Sequence, residues 1–443
     1  MKRNQRNLLL LDSSEMAIVT SLSNTKFVAR SLSTFGRVTT MPESTSWERE
    51  KVSVRSSSNT DMCARRRLRI GIDLTGLWRP STGVFVYAIE LARHLLSLDD
   101  HNSYTLFFTG QVHTAFGELE GKFRTIVVPV REEVISKQLV MAALCNTLPL
   151  DLIHFPAFPP PLACFRPFIW TLHDATAWLY PETMNWKGRL YFRNLGERSA
   201  RRSKAIITGS DKAKRDIVEA VRVPESKVKV ISEGVDGVFS RVDSRDFLNA
   251  VRQRYGLPER FLLMVGTLEP RKNLPFLIEA YRRFCEATQL RIGLVIAGRK
   301  GWKLDALDRC LAEAGTSVIV TGFVPREDLI GLYNLAEAFV LPSIYEGFGF
   351  PPLEAMACGC PVIVSNRGSL PEIVGDAALL IDLEDVDSLV GALRSVLCNP
   401  RLRVALVEKG LARVKGFSWR SAAIKTLDLY REIVGREEPV AVL

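Results

Sequence analysis

Short apolar runs alternate with amphipathic segments from residue 68 onward. The run at 68–74 predicts a first strand, and the amphipathic segment at 84–98 predicts a helix. Further strand patterns lie at 104–110, 123–130, 151–156, 167–174 and 204–210, with helical patterns at 187–202 and 212–221. Buried strands that alternate with helices are typical of a parallel sheet covered on both faces. This half of the chain therefore predicts an α/β domain.

The same alternation restarts in the C-terminal half, after a polar stretch with little strand signal. Strand patterns lie at 261–266, 292–298, 318–324, 338–343, 361–366 and 377–382, and helical patterns begin at Leu274 and near Pro352. We interpret these as two doubly wound, Rossmann-like units that face a central cleft, a natural place for a ligand. A final pattern at 417–434 predicts a helix that packs back across the domains.

These patterns divide the chain into five segments. Residues 1–67 are rich in Ser, Thr and Arg, which predicts a disordered extension. The two predicted domains cover 68–236 and 259–416. The stretch 237–258 between them is interpreted as the linker region, and 417–443 as the terminal helix and tail.

The net charge of +10 is concentrated at the N-terminus. The first 67 residues hold 12 Lys and Arg against six Asp and Glu, so the rest of the chain is only weakly basic. A solvated tail explains this better than a nucleic-acid-binding surface, so we expect no nucleic-acid partner. No apolar run approaches the roughly 18 residues of a membrane helix. Eight scattered cysteines form no C-x-x-C pair, and we expect a cytoplasmic protein without a structural metal.

The sequence IYEGFGFPPLEAMACGCPVIVSN, residues 344–366, carries the strongest chemical signal. Glu346 lies in a glycine-rich loop after a strand, and Glu354 lies in the first turn of a helix that two prolines can open. Both carboxylates can lie at one sheet edge, near backbone N–H groups that are free to bind an anion. A carboxylate accepts two hydrogen bonds, as a sugar or ribose diol requires. The alternative is that Glu354 only favours the helix dipole and Glu346 is a loop charge.

The sequence FLLMVGTLEPRKNLPFLIEAY, residues 261–281, places two cations in a strand-to-helix turn. Arg271 and Lys272 would oppose the helix dipole there, which makes sense if an anion such as a diphosphate shares the site. Asn273 is the predicted N-cap of the following helix. The alternative is that both cations are solvated loop residues.

Three further segments give weaker signals. The loop 75–83 ends at Gly83, where the backbone could approach a ligand, but it is not a dinucleotide fingerprint. His173 and Asp174 directly follow a strand, where such folds place ligands, although a structural role explains this pair at least as well. The basic stretch 187–204 is interpreted either as a surface that touches anionic lipid or as a solvated helix face.

Taken together, residues 68–435 resemble the family-4 retaining glycosyltransferases, which have the GT-B fold. The resemblance is carried by EGFGFPPLEAM, which is similar to the family's E-x7-E signature, and by VGTLEPRKNL upstream of it. It implies an enzyme that moves a hexose from a nucleoside-diphosphate sugar to an acceptor, with no cofactor and no metal. The C-terminal domain would bind the donor, and the N-terminal domain would lie on the acceptor side.

The resemblance also implies roles for individual residues. Glu354 would hold the donor ribose, while Glu346 and His173 would lie at the transferred sugar and the reaction centre. The diphosphate would be bound by Lys272, Arg271, Thr267, Gly83, Gly349 and Phe350. The donor sugar would face Glu346, Phe348 and Gly349, and the nucleobase would meet Phe323 and Val324.

One position departs from many relatives, which carry arginine directly after the glycine of the phosphate strand. This chain has Thr267 there, and Arg271 would take part of the arginine's work. The motifs are similar to those of bacterial polysaccharide mannosyl- and rhamnosyltransferases, which favours GDP-mannose as the donor. The acceptor would be a glycan or lipid-linked glycan, reached by peripheral contact with the cytosolic face of an anionic membrane.

Three other functions remain open at this point. A UDP-sugar glycosyltransferase that moves glucose or N-acetylglucosamine would use the same motifs. A GT-B sugar-nucleotide epimerase would bind a similar donor without an acceptor. A non-catalytic GT-B binding module is the least favoured, because the glutamates, Lys272 and His173 are all present.

Overall fold

The computed structural model describes residues 66–77, 82–128 and 136–435. The predicted extension at 1–67 lies outside these ranges except for its last two residues, and the tail beyond residue 435 lies outside them as well. Within the described part of the chain, no helix has the length and apolar character that crossing a bilayer requires.

The N-terminal lobe is built on a seven-stranded parallel sheet with strand order β3-β2-β1-β4-β5-β6-β7. Its strands are β1 Arg69–Asp73, β2 Ser103–Thr109, β3 Phe123–Val128, β4 Leu152–Phe155, β5 Phe168–Thr171, β6 Ala205–Thr208 and β7 Val228–Val230. In the centre of the sheet, Ile70 pairs with Tyr104 on one side and Leu152 on the other, and all three are buried. The strand order reverses beside β1, so ligands are expected at the carboxyl ends of the strands.

Helices cover both faces of this sheet. They are α1 Gly83–Leu98, α2 Ala142–Thr147, α3 Thr176–Leu179, α4 Trp186–Tyr191, α5 Glu197–Arg202 and α6 Asp211–Val221. A π-helical segment, Phe192–Gly196, joins α4 to α5, so the helix that the sequence predicts at 187–202 is confirmed as one nearly continuous element.

The C-terminal lobe repeats the design with a six-stranded parallel sheet of order β10-β9-β8-β11-β12-β13. Its strands are β8 Phe261–Val265, β9 Gly293–Ala297, β10 Val318–Gly322, β11 Ala338–Leu341, β12 Val362–Ser365 and β13 Ala378–Ile381. Its helices are α7 Arg245–Tyr255, α8 Leu274–Thr288, α9 Asp305–Ala314, α10 Arg326–Leu335, α11 Phe350–Ala357, α12 Leu370–Val374, α13 Val386–Cys398 and α14 Pro400–Arg413. The two sheets confirm the predicted pair of doubly wound α/β lobes.

The segment 237–258, interpreted above as the linker region, contains a helix of the C-terminal lobe. Val251 on α7 is buried in that lobe's core together with Phe239 and Leu257. Val251 is the fully buried residue of α7, and Phe247 and Tyr255, four positions to either side, are partly buried against the same core. The helix therefore has a short apolar stripe at helical spacing, set among charged residues.

The last helix, α15 Trp419–Gly435, returns to the N-terminal lobe, as the sequence predicts. Its buried residues Ala423 and Tyr430 belong to the same core as Ala88 and Leu95 of α1. A side chain at Gly234 would lie 2.2 Å from the backbone nitrogen of Trp419, so only glycine fits where the crossing chain enters the helix. The helix thereby ties the two lobes together.

Candidate active site

Two strand-to-helix turns of the C-terminal lobe meet at the carboxyl edge of its sheet. The turn after β8 contains the short 3-10 helix Pro270–Lys272, and the loop after β11 leads into α11. The backbone N–H of Ile344 donates to the carbonyl of Arg271 at 2.8 Å, which fixes one turn against the other. The neighbouring strands β8 and β11 thereby bring the two motifs that the sequence singled out to one place.

Glu346 is held between the two predicted phosphate-binding cations. The Nζ of Lys272 lies 2.6 Å from its Oε1, and the Nη1 of Arg271 lies 2.5 Å from its Oε2. Arg271 also donates to Glu269 Oε1 from Nε and Nη2, at 3.1 and 2.7 Å, and to the carbonyl of Tyr345 at 2.7 Å. All of these charged side chains are largely buried, so the cluster is a compact network of two cations and two anions.

The network fixes the protonation of its members. Burial by itself would raise the pKa of Glu346, but the charges of Arg271 and Lys272 outweigh burial and hold that pKa at about 2. Burial opposes the charge of Arg271 as well, yet Glu346 and Glu269 raise the pKa of its guanidinium above the usual value. Glu346 is therefore a permanent carboxylate and cannot supply a proton near neutral pH.

Glu354 has no salt-bridge partner among the described residues, in contrast to Glu346, and its pKa is raised. It is buried in α11, where its Oε2 accepts a hydrogen bond of 2.9 Å from the Oη of Tyr333. Burial raises the pKa of Glu354 to about 7, and neither this hydrogen bond nor the more distant charge of Arg326 compensates for it. A carboxylate kept this dry is ready to accept hydrogen bonds from a hydroxyl-bearing ligand.

The loop between the two glutamates is fixed by contacts from both lobes. Gly349 adopts a φ of 127° at the N-cap of α11, a conformation that favours glycine. The ring of Phe348 packs against Phe350 and Phe417 with centroid separations of 5.5 and 5.7 Å. A Cβ on Gly83, the first residue of α1, would lie 3.3 Å from the Phe350 ring, so the predicted N-lobe glycine does reach this loop.

Further contacts close the cleft around the loop. The Oγ of Ser210 donates to the carbonyl of Gly347 at 2.8 Å. A Cβ on Gly347 would lie 2.2 Å from the carbonyl oxygen of His173, so the two lobes touch backbone to backbone here. Glu372 of the C-terminal lobe accepts the N–H groups of Asp211 and Lys212 at 2.8 and 2.9 Å, at the start of α6.

His173 lies on the N-terminal wall of the cleft, just after β5. Its Nδ1 is 3.2 Å from Glu233 Oε1, and its Nε2 is 3.0 Å from the carbonyl oxygen of Pro156. Burial would lower the pKa of His173, but the hydrogen bond and charge of Glu233 prevail and raise it above its usual value.

Three residues that were predicted to bind the nucleotide sugar take no part in the charged network. Thr267 lies in the turn after β8, with its methyl group 3.1 Å from where a Cβ on Gly301 would stand. Phe323 and Val324 follow the edge strand β10, two strands from β8. Val324 is buried, while Phe323 is exposed, with the guanidinium of Arg299 4.4 Å from its ring centroid.

Asn273 does not act as the predicted side-chain N-cap. It occupies the N-cap position of α8, but with a φ of 54° its backbone is left-handed, and its side chain makes no capping hydrogen bond. Its backbone instead closes the 3-10 turn before the helix, since its N–H donates to the carbonyl of Pro270 at 3.0 Å.

A cavity of about 460 Å³ opens beside His173, toward the N-terminal lobe. Its walls combine aromatic side chains with charged groups, including Phe158, Trp178, Trp302, Asp174, Glu269 and Arg271. Trp302 of the C-terminal lobe closes one side by donating from Nε1 to the carbonyl of Thr183 at 2.7 Å. Among the described residues, no three His, Cys, Asp or Glu side chains are grouped so that they could hold a metal ion.

The sequence did not reveal three residues of this site. Glu233 and Trp302 belong to no motif, and Glu269 lies within VGTLEPRKNL without a predicted role. Each acquires its role only through partners supplied by the fold. Glu269, two residues before Arg271, was the easiest to find, because an acid next to two buried cations is a natural partner for them.

Comparisons with known proteins agree with this geometry. The model "Glycosyl transferases group 1" matches residues 249–413, and "Glycosyltransferase Family 4" matches residues 81–237. O-antigen chain mannosyltransferase B of Escherichia coli is 36% identical over 265 residues, which cover 59% of this chain and 69% of that protein. Serotype-specific mannosyltransferase WbdA of Escherichia coli is 35% identical over 227 residues, 50% of this chain but only 28% of the relative.

Solved structures share the fold at lower sequence identity. Anabaena HepE, determined in complex with UDP and glucose, superposes with a TM-score of 0.67 at 19% identity, covering 83% of this chain and all of that one. The two lobes are thus those of the GT-B fold, and the matched models span both of them. The chain belongs to glycosyltransferase family 4, and the protein is a glycosyltransferase.

Proposed function

We propose that this glycosyltransferase moves mannose, with retention of configuration, from GDP-mannose to a glycan or lipid-linked glycan. The observation that carries the proposal is Glu346, held ionised between Lys272 and Arg271 at a sheet edge that also presents Glu354. The choice of mannose is supported by relatives that are named as mannosyltransferases.

Each part of the donor is bound by a different group of residues. Glu354 accepts hydrogen bonds from the ribose diol, which its dry position makes strong. Lys272 lies where it can exchange part of its pairing with Glu346 for the diphosphate. The N-terminus of α11, which has no side-chain cap, offers free N–H groups beside it. Phe323 and Val324 meet the base mainly through their backbone, and Thr267 adds a neutral donor near the phosphates.

The transfer step follows from where charge develops. The bond between the anomeric carbon and the diphosphate oxygen breaks, and a bond to the acceptor oxygen forms on the same face. The acceptor's proton passes to the departing diphosphate. Negative charge on the leaving group is stabilised by Lys272, Arg271 and backbone N–H groups. Because protein cations fulfil this role, we expect EDTA to leave the rate unchanged.

Glu346 binds the transferred sugar and takes no part in proton transfer. With a pKa of about 2 it remains negative throughout the reaction. It orients the sugar hydroxyls and stabilises positive charge on the ring, and no covalent intermediate is required of it.

The cavity beside His173 suits the acceptor. Aromatic faces such as Trp178 and Trp302 pack against the apolar faces of sugar rings, while Asp174 and Glu269 accept hydroxyl hydrogen bonds. A volume of about 460 Å³ next to the donor residues favours a transferase over an epimerase, which needs no second substrate site.

We also propose that the N-terminal lobe docks on an anionic membrane through α4 and α5. Basic residues are exposed along both helices, among them Arg189, Arg198 and Arg201. Large apolar side chains are exposed in the same region, including Trp186 at 66% and Phe165 at 77%. Arg202 lies over the Phe165 ring at 5.6 Å, so cations and apolar groups form one surface. This combination suits anionic headgroups above an acyl layer.

Liposome flotation tests the membrane contact. The wild-type protein should float with vesicles that contain anionic lipid and remain below with neutral ones. The double variant Arg198→Gln/Arg201→Gln should lose most of this binding, because each basic residue contributes about 1 kcal/mol near such a surface. The double variant Arg394→Gln/Arg401→Gln removes two exposed charges from α13 and α14 as a control. Equal flotation with anionic and neutral vesicles, or with the wild type and the Arg198→Gln/Arg201→Gln variant, would contradict this proposal.

A panel of nucleotide sugars tests the donor. GDP-mannose, UDP-glucose, UDP-N-acetylglucosamine and dTDP-rhamnose are compared by thermal shift, since a ligand of the folded state raises its melting temperature. GDP-mannose should give the largest shift and should then label a glycan acceptor. A larger shift with a UDP-sugar would mean that the donor is that UDP-sugar and not GDP-mannose. A chemically changed sugar after incubation with the donor alone would indicate an epimerase.

A further inference from the structure

The environment of His173 requires more protons than a neutral imidazole carries. Its Nδ1 faces the carboxylate of Glu233 at 3.2 Å, and its Nε2 faces the carbonyl oxygen of Pro156 at 3.0 Å. Both partners are acceptors, whereas a neutral imidazole has one N–H and one lone pair. The two hydrogen bonds are therefore satisfied together when His173 is an imidazolium and Glu233 is ionised.

Glu233 is buried in a way that reinforces this charge. It is 2% exposed, in the crossing segment just after β7, and its Oε2 has no hydrogen-bond partner among the described residues. A buried carboxylate with so little solvation depends on a nearby cation for its stability. His173 supplies that cation, so each charge of the pair maintains the other.

The other groups around the ring fix its position without competing for the proton. Tyr87 of α1 packs its ring edge-to-face on the imidazole, with centroids 4.7 Å apart at 88°. His154 of β4 lies near, but burial and the charge of His173 lower the pKa of His154 to about 3, so it is neutral. Asp174, the next residue, adds a negative charge that favours the imidazolium, while Arg271 lines the same cavity from the other lobe.

We propose that Glu233 is a positioning residue that keeps His173 doubly protonated, so that the N-terminal lobe presents a fixed positive charge to the donor diphosphate. The backbone of His173 touches Gly347 in the loop that follows Glu346, and His173 lines the same cavity as Arg271. The diphosphate would thus meet cations from both walls of the cleft, Lys272 and Arg271 on one and His173 on the other. This inference rests on the proposed nucleotide-sugar donor.

Glu233→Gln is the decisive variant, because it keeps the shape of the side chain and removes its charge. The glutamine amide can donate to Nδ1, which leaves His173 neutral at pH 7.5. We expect kcat to fall about tenfold or more at pH 7.5 and to recover toward the wild-type value below about pH 6, where His173 protonates unaided. The wild-type kcat, measured at saturating donor, should be flat across this range, since the titration of Glu354 changes donor affinity and not kcat. Glu233→Asp retains the charge and should retain most of the activity at pH 7.5.

The charge of His173 is measured directly by NMR of the full-length protein with labelled histidine, assigned with His173→Gln. The wild-type ring should show both nitrogens protonated at pH 7.5, and Glu233→Gln should show one. Glu337→Gln, a half-buried glutamate at the amino end of β11 with two arginine partners, should change neither readout.

Two results would overturn the proposal: a neutral His173 in the wild-type spectrum, or a pH–rate profile that Glu233→Gln leaves unchanged. If no nucleotide sugar is turned over, the proposed function fails, while the spectrum still decides whether Glu233 sets the charge of His173.

Discussion

The ammonium group of Lys272 lies 2.6 Å from the carboxylate of Glu346, although 74 positions separate them in the chain. Each of these residues is buried, and neither charge would be stable there without the other. The cleft therefore contains a preorganised ion pair whose cation can turn toward a phosphate and whose anion can turn toward a sugar. This pair, rather than a free cation, is what an incoming donor meets.

A double-mutant cycle measures this pairing. Glu346→Gln leaves Lys272 and Arg271 with uncompensated charge and should lower the free energy of unfolding by roughly 3–5 kcal/mol. Lys272→Met should be destabilising as well. The double variant Lys272→Met/Glu346→Gln should lose less stability than the sum of the two single losses, by about 1 kcal/mol or more. Chemical denaturation gives all three values. Strictly additive losses would mean that the contact contributes nothing.

Glu354→Gln should stabilise the unliganded enzyme at alkaline pH. The pKa of Glu354 is about 7 in the folded state and about 4.5 in the unfolded state. Between these two pH values the native state binds more protons than the unfolded state, so the free energy of unfolding falls as the pH rises from about 4.5 to 7. The variant escapes this loss and should gain roughly 3 kcal/mol at pH 8, with no gain below pH 4.5.

Glu337→Gln is the matched control for that measurement. Burial opposes the charge of Glu337, but Arg260 and Arg403 outweigh burial and lower its pKa, so this variant should lose stability at pH 8. Denaturation curves at pH 5 and pH 8 compare the two. A Glu354→Gln protein less stable than wild type at pH 8 would show that its carboxylate is well solvated after all.

Donor affinity should rise with pH through about 7. A ribose diol donates to the ionised form of Glu354, and GDP-mannose carries no phosphate that titrates in this range. Tyr333→Phe removes the hydrogen bond that favours the carboxylate, so the rise should move to higher pH. Isothermal titration calorimetry with GDP-mannose from pH 5.5 to 8.5 shows both effects. A pH-independent affinity in the wild type would contradict the assignment of Glu354 to the ribose.

Gly347→Ala should prevent the lobes from closing. Its Cβ would lie 2.2 Å from the carbonyl oxygen of His173, so the backbones must separate. We expect a loss of turnover together with a larger radius of gyration in small-angle X-ray scattering. Gly237→Ala, where a Cβ meets nothing within 4 Å, is the control. An equally compact and active Gly347→Ala protein would mean that closure does not need this contact.

The central strands were predictable because they are short apolar runs buried on both faces. The edge strands β3 and β10 are less buried, but they keep enough Val and Ile to show the same pattern. The helix at Phe350–Ala357 was predictable for a different reason, since its prolines and the following Gly359 define its ends. Helix α7 was missed because its apolar stripe, Phe247, Val251 and Tyr255, is short and is surrounded by charged residues.

The site was only half visible in the sequence. Local motifs identified Glu346, Glu354 and Lys272, because each belongs to a strand-to-helix turn with unusual glycines, prolines or charges. No local pattern indicated that Lys272 and Arg271 are already paired with an anion, since that pairing joins two turns that are distant in the chain. Glu233 was invisible for the same reason, because its partner His173 lies 60 positions away and on another strand end.

Binding of GDP-mannose to the wild-type protein and to Lys272→Met, measured by isothermal titration calorimetry, tests the central claim most directly. If the diphosphate is held by this buried cation, the variant should bind at least tenfold more weakly, since a charge-assisted hydrogen bond contributes about 1.5–3 kcal/mol. Lys409→Met, which removes an exposed lysine paired with Asp376, should bind like the wild type. Equal affinity in Lys272→Met and the wild type would contradict the account.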